Sequence, residues 1–104
     1  MDYKKEFKIY CLTNETGKNA RIFDEENPYI YRLFRGLAIN AYNAGHRKYS
    51  ANGIFEYIRW YMSVERKDKT YKMNNNYRAY YARKLMAEDS RFESFFEIRE
   101  KENK

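Results

Sequence analysis

Three kinds of side chain in this sequence could do chemistry: a lone imidazole, a lone thiol and paired carboxylates. His46 is the single histidine and Cys11 the single cysteine, whereas a metal site needs several His, Cys or carboxylate ligands at workable spacing. His46 follows Gly45, which offers a helix end, so it reads as a loop residue rather than an acid-base catalyst. No neighbour in sequence would activate the Cys11 thiol, and without a second cysteine it forms no internal disulfide, which fits a reducing compartment. The pairs Glu25-Glu26 and Glu88-Asp89 fall at expected helix ends, where dipole, turn or solvation roles suffice. There is no Gly-rich phosphate loop and no Ser-centred nucleophile elbow. The expectation is a protein without catalytic residues, metal or cofactor, one that acts by binding.

What it would bind is suggested by charge. Residues 1–45 carry seven Lys and Arg against six Asp and Glu, residues 46–91 eleven against five, and residues 92–104 three against four. The excess therefore sits in the middle segment, on Arg47, Lys48, Arg59, Arg66, Lys67, Lys69, Lys72, Arg78, Arg83, Lys84 and Arg91. A clustered basic surface attracts phosphate backbones with counterion release, and it equally attracts an acidic protein face. The twelve tyrosines suggest stacking surfaces. Tyr, Asn and Lys also share A/T-rich codons, so a low-GC genome accounts for their abundance as well.

The elements that must position these residues follow from periodicity. At 104 residues, 43% apolar and with one Pro, the chain is about one domain long and has enough to bury. Residues 1–26, with the β-forming run Phe7-Lys8-Ile9-Tyr10-Cys11-Leu12, predict a short hairpin or an irregular arm. A helical core spans 27–99. Its first helix starts with Asn27 as N-cap and Pro28 at the first position, buries Ile30, Leu33, Phe34, Leu37, Ala38 and Ala41, and ends at Gly45. Its second, capped by Ser50, runs from about Ala51 to Arg66. It carries one apolar stripe of Ala51, Ile54, Phe55, Ile58, Tyr61 and Met62 and another of Gly53, Tyr57, Trp60 and Val64. A helix apolar on two sides packs centrally between neighbours; exposed instead, the Tyr57 and Trp60 stripe would mark a partner interface. The third helix, about Asn76 to Glu88, follows the triplet Asn74-Asn75-Asn76. It presents Tyr77, Tyr81, Ala82, Leu85 and Met86 inward, with Ala79, Tyr80, Arg83, Lys84 and Ala87 opposite. Arg78 falls inside the apolar arc and would snorkel outward or reach from the first turn. Residues 92–100 alternate as a strand would, and residues 100–104 predict a frayed tail.

Several motifs carry a resemblance to a known group of proteins. Asn27-Pro28-x-Ile30-Tyr31, Phe55-Glu56 with Arg59-Trp60, Tyr71-Lys72-Met73-Asn74-Asn75-Asn76-Tyr77, Tyr81-Ala82-Arg83 and Phe95-Phe96-Glu97-x-Arg99 resemble a group of small proteins encoded in bacteriophages and prophages. The resemblance covers about Phe23 to Arg99 and implies a phage or mobile-element setting and no particular reaction. The order helix, helix, helix, strand also looks like a winged helix, in which the third helix reads duplex DNA. On that reading Asn75, Asn76, Arg78, Tyr80, Arg83 and Lys84 form the nucleic-acid-binding set. About ten residues separate the second and third helices where a helix-turn-helix has three or four, and no second wing strand follows.

The reading is a single mainly α domain with minor β, winged-helix-like, that binds duplex DNA as a phage-type accessory protein or regulator. The alternative is a phage effector that inhibits an acidic host defence protein through Tyr57, Trp60 and the basic surface. A homodimer joined through Trp60 is compatible with either. No apolar run approaches the roughly 18 residues of a membrane span and the N-terminus lacks an apolar h-region, so the expected address is the bacterial cytoplasm.

Overall fold

A computed structural model describes residues 2–97, and within them the chain is mainly helical. Five helices follow one another: α1 Tyr3–Thr13, α2 Glu15–Glu26, α3 Pro28–Asn43, α4 Ala51–Trp60 and α5 Arg78–Glu88. A π turn, Tyr61–Glu65, extends α4, and 3₁₀ turns precede and follow α5 at Asn75–Tyr77 and Ser90–Phe92.

The hairpin or arm expected at residues 1–26 is corrected to the helix pair α1 and α2. Side chains cap both starts: Asp2 accepts from the Lys5 amide at 3.1 Å and Asn14 from the Gly17 amide at 3.0 Å. Tyr3, Phe7, Tyr10 and Cys11 recur at helical spacing and pack on the core, so a buried face outweighs the β propensity of the individual residues. The two helices cross closely at Gly17, where a Cβ would stand 2.7 Å from the Tyr10 carbonyl oxygen.

Pro28 opens α3 as expected, but Asn27 does not cap it with its side chain. The Asn27 Nδ2 instead donates to the Phe23 carbonyl at 2.9 Å and closes the end of α2. Gly45, at φ 102°, ends α3 in a Schellman turn, with Gly45 N–H donating to Tyr42 and His46 N–H to Ala41. Ser50 caps α4 through the Gly53 amide. The end of the π turn repeats the device more widely: Lys67 takes the left-handed conformation at φ 56° and Asp68 N–H donates to Met62.

The helix at the centre is α5, not α4. It contacts α1, α2, α3 and α4, and it buries Tyr80, Tyr81, Ala82, Leu85, Met86 and Ala87, residues from both of its arcs. Its outer arc is covered by α1 and α2, elements that the three-helix reading lacked. α4 buries only Ile54, Phe55 and Ile58, continued by Met62, and leaves its second stripe outside. Phe34, Phe55, Tyr81 and Phe96 form the aromatic centre, with ring centroids 5.4 to 6.0 Å apart for the pairs made by Phe34. The strand expected at 92–100 is not formed over the described part. There Phe92, Phe95 and Phe96 are all buried, and a turn with Ser94 at φ 65° lets them face one core, which an alternating strand could not do. Residues 98–100, the rest of that expectation, and the tail at 100–104 lie outside the described residues.

Candidate nucleic-acid interface

The six residues expected to contact nucleic acid do not share one open face. Tyr80 is 3% exposed, and its hydroxyl donates to Asp24 Oδ2 at 2.8 Å. Lys84 Nζ donates to the same oxygen at 2.5 Å and lies 4.0 Å from the centroid of the Tyr31 ring. The Tyr31 hydroxyl in turn donates to Glu88 Oε1 at 2.7 Å. Burial, with the Asp24 carboxylate beside it, holds the Tyr80 phenol well above the usual tyrosine range; burial and Glu88 do the same for Tyr31. Arg83 lays its guanidinium 4.4 Å from the centroid of the Tyr10 ring, so a residue of α1 occupies the place assigned to a ligand. α2 supplies a buried carboxylate and α1 an aromatic lid, and together they take up Arg83 and Lys84 of α5.

The Asn triplet mostly builds the turn into α5. Asn74 accepts from the Asn76 amide at 2.9 Å, and the Asn75 carbonyl accepts from Arg78 Nη1 at 2.9 Å. The Asn75 side chain accepts from Arg59, which also pairs with Glu56 at 3.1 Å. Asn75 and Asn76 are exposed and Arg78 is half-buried. Of the expected set, these three remain reachable at the N-terminal end of α5.

The open charge lies just before them. Arg66, Lys67, Lys69 and Lys72 are all exposed, and among the described residues none forms an ion pair. The connection that carries them is held in shape. Asp68 Oδ1 accepts from the Thr70 amide at 3.0 Å and the Thr70 hydroxyl at 2.7 Å, and these bonds keep the Asp68 carboxyl below its ordinary range. Tyr71 and Met73 pack against the core on either side of Lys72, and burial pushes the Tyr71 phenol up to about 12. Side chains thus alternate inward, outward, inward without a paired strand. Sequence reasoning counted these four cations but passed over them for the α5 face. Their density in a polar stretch, with one acid among them, was the available signal.

Tyr57 and Trp60 are 50% and 48% exposed and stack on one another, ring centroids 6.3 Å apart at 29°. Val64 continues their line at 49% exposed. Beside Tyr57, between α3 and α4, runs a shallow groove of about 370 Å³ lined by Leu37, Ala41, His46, Tyr49, Gly53 and Tyr57, among others. His46 serves as a wall here, its ring edge-on to Tyr49 at 5.2 Å. Cys11 is buried, and burial pushes its thiol up. Among the described residues no group of three His, Cys, Asp or Glu could hold a metal ion, and no helix is long and apolar enough to cross a membrane.

Comparison with protein-family models, with curated proteins and with solved structures finds no match.

Proposed function

We propose that this chain is a nucleic-acid-binding accessory or regulatory protein of the phage or prophage type, working by binding rather than catalysis. Its phosphate contacts come from Arg66, Lys67, Lys69 and Lys72, with Asn75, Asn76 and Arg78 beside them. The observation that carries this reading is the set of four exposed cations without ion pairs on a connection pinned by Asp68, Tyr71 and Met73. Charges carried on a connection held in shape, and not neutralised by an ion pair among the described residues, can replace condensed counterions on a phosphate backbone. The winged-helix mode, in which α5 enters a major groove, is not part of the proposal, because Tyr80, Arg83 and Lys84 are engaged with Asp24 and Tyr10.

Fluorescence anisotropy with mixed-sequence oligonucleotides over a salt series tests the reading. Binding should weaken steeply with salt, and a Lys67→Ala/Lys69→Ala/Lys72→Ala variant should lower the log-log slope by about 0.7 to 0.9 for each phosphate no longer neutralised. Absence of binding at low salt, or an unaltered slope in the triple variant, would sink it.

The second reading, an effector that occupies a host protein, is favoured by one observation, the exposed Tyr57 and Trp60 pair. A specific partner retained from nuclease-treated lysate by the native chain and released by Trp60→Ala would give it precedence.

A further inference from the structure

Exposed aromatics on α4 are flanked along the chain by exposed cations that form no ion pair among the described residues. Arg47 and Lys48, both exposed, stand immediately before α4; Tyr57 and Trp60 lie along it; Arg66, Lys67 and Lys69, also exposed, follow its π turn. The fifteen residues Ala51 to Glu65 span about 22 Å at about 1.5 Å per residue, room for a strand at the short end of single-strand sites, about 4 nucleotides. The acids near this track are Glu56, which is paired with Arg59, Glu65, Asp68, which sits between Lys67 and Lys69, and Glu97, which lines a pocket with Lys48.

An apolar ridge with cations at both ends distinguishes among ligands. A duplex shows a protein its phosphates and base edges, and it keeps its base faces stacked on one another. Only unpaired bases can lay a face on Tyr57 or Trp60 while their phosphates reach the flanking cations. The helix that would have entered a duplex groove is enclosed at Tyr80, Arg83 and Lys84.

We infer that the α4 track binds single-stranded nucleic acid, with bases stacked on Tyr57 and Trp60 and phosphates on Arg47 and Lys48 at one end and Arg66, Lys67 and Lys69 at the other. The inference rests on the nucleic-acid reading above and narrows its ligand to single strands.

Trp60 is the one tryptophan, so its emission reports directly on the ridge. The native chain is titrated at low salt with a mixed-sequence DNA oligonucleotide of about a dozen nucleotides, the RNA of the same sequence, and the corresponding DNA duplex. Binding is followed by anisotropy and by Trp60 fluorescence. The expected result is quenching by at least one single strand, with affinity about tenfold or more above the duplex. A Tyr57→Leu/Trp60→Leu variant of unchanged circular dichroism should lose that preference and keep the salt-dependent residual binding. Equal affinity for duplex and single strand without quenching would overturn the single-strand inference and leave the nucleic-acid reading standing. Failure of all three probes to bind would overturn both. A dimeric mass in light scattering that becomes monomeric on Trp60→Leu would overturn the inference by assigning the ridge to a second copy of the chain.

Discussion

Lys84 and Lys67 belong to the same basic stretch of sequence, yet their surroundings differ completely. Lys84 reaches inward between Asp24 and the Tyr31 ring, with its side chain 20% exposed. Lys67 stands in solvent on a left-handed turn without an ion-pair partner among the described residues. The α1–α2–α5 region takes up its own polar groups, whereas the α4–α5 connection leaves them outward. A formal charge count treats the two lysines alike, but only the second is available to a ligand. The first is committed to the fold, because a cation enclosed beside a carboxylate cannot leave without stranding its partner.

This contrast can be broken most forcefully at Asp24. Asp24→Ala removes the one acceptor shared by Tyr80 and Lys84 and leaves a largely enclosed ammonium without its carboxylate. The expected loss is about 3 to 5 kcal/mol in urea unfolding; a loss under about 1 kcal/mol would mean that the region does not depend on its internal pairing.

Gly17→Ala tests the same region by sterics. Its Cβ would meet the Tyr10 carbonyl oxygen at 2.7 Å, a backbone atom that cannot swing aside, so α1 must shift on α2. A cost of about 1 to 3 kcal/mol is expected, and the Tyr10 ring over Arg83 should be disturbed with it. Unchanged or raised stability would show that the two helices can part at this crossing without cost.

Lys67→Gly separates fold from function in the open region. Glycine takes φ 56° freely, so the variant should gain up to about 1 kcal/mol in stability while its binding gives up the salt dependence of one neutralised phosphate. Stability and binding falling together would contradict the division of roles.

The smallest effect is at Asp89, which accepts from the Arg91 amide and pairs with Arg91 and more distantly with Arg35. Arg91 holds the Asp89 carboxyl below its ordinary range. A carboxyl lowered in the folded state adds stability above its unfolded pKa of about 3.9 and loses it as pH falls through the folded value. Asp89→Asn should therefore cost a few tenths of a kcal/mol near neutrality and progressively less below about pH 4. A cost that grew on acidification would reverse the assigned sign.

Much of the helical core was legible in residue order. Ser50, Pro28 and Gly45 mark boundaries by local chemistry, and Ile54, Phe55, Ile58 and Met62 mark a buried stripe by spacing alone. α1 and α2 were not read, although Asp2 and Asn14 are cap residues, because Phe7 to Leu12 favours strand and a helical face declares itself only against its partner. The misplaced site has the same cause. Arg83 and Lys84 lie opposite the apolar arc of an isolated α5, and opposite means exposed only if nothing packs there. Asp24 and Tyr10 lie more than fifty residues away in sequence, and no local pattern announces that they meet α5. Conversely, Tyr57 and Trp60 were read as packed between helices or as an interface. They are exposed because α5, rather than α4, takes the central place.

Available charge lies on the α4–α5 connection and not on Arg83 and Lys84 of α5, and lysine acetylation footprinting by mass spectrometry reads that availability at each lysine. In the free protein Lys67, Lys69 and Lys72 should react quickly and Lys84 slowly, and an added oligonucleotide should protect the first three and leave Lys84 unchanged. Lys84 reacting as fast as Lys67, and protected by the oligonucleotide in place of the connection, would contradict the account.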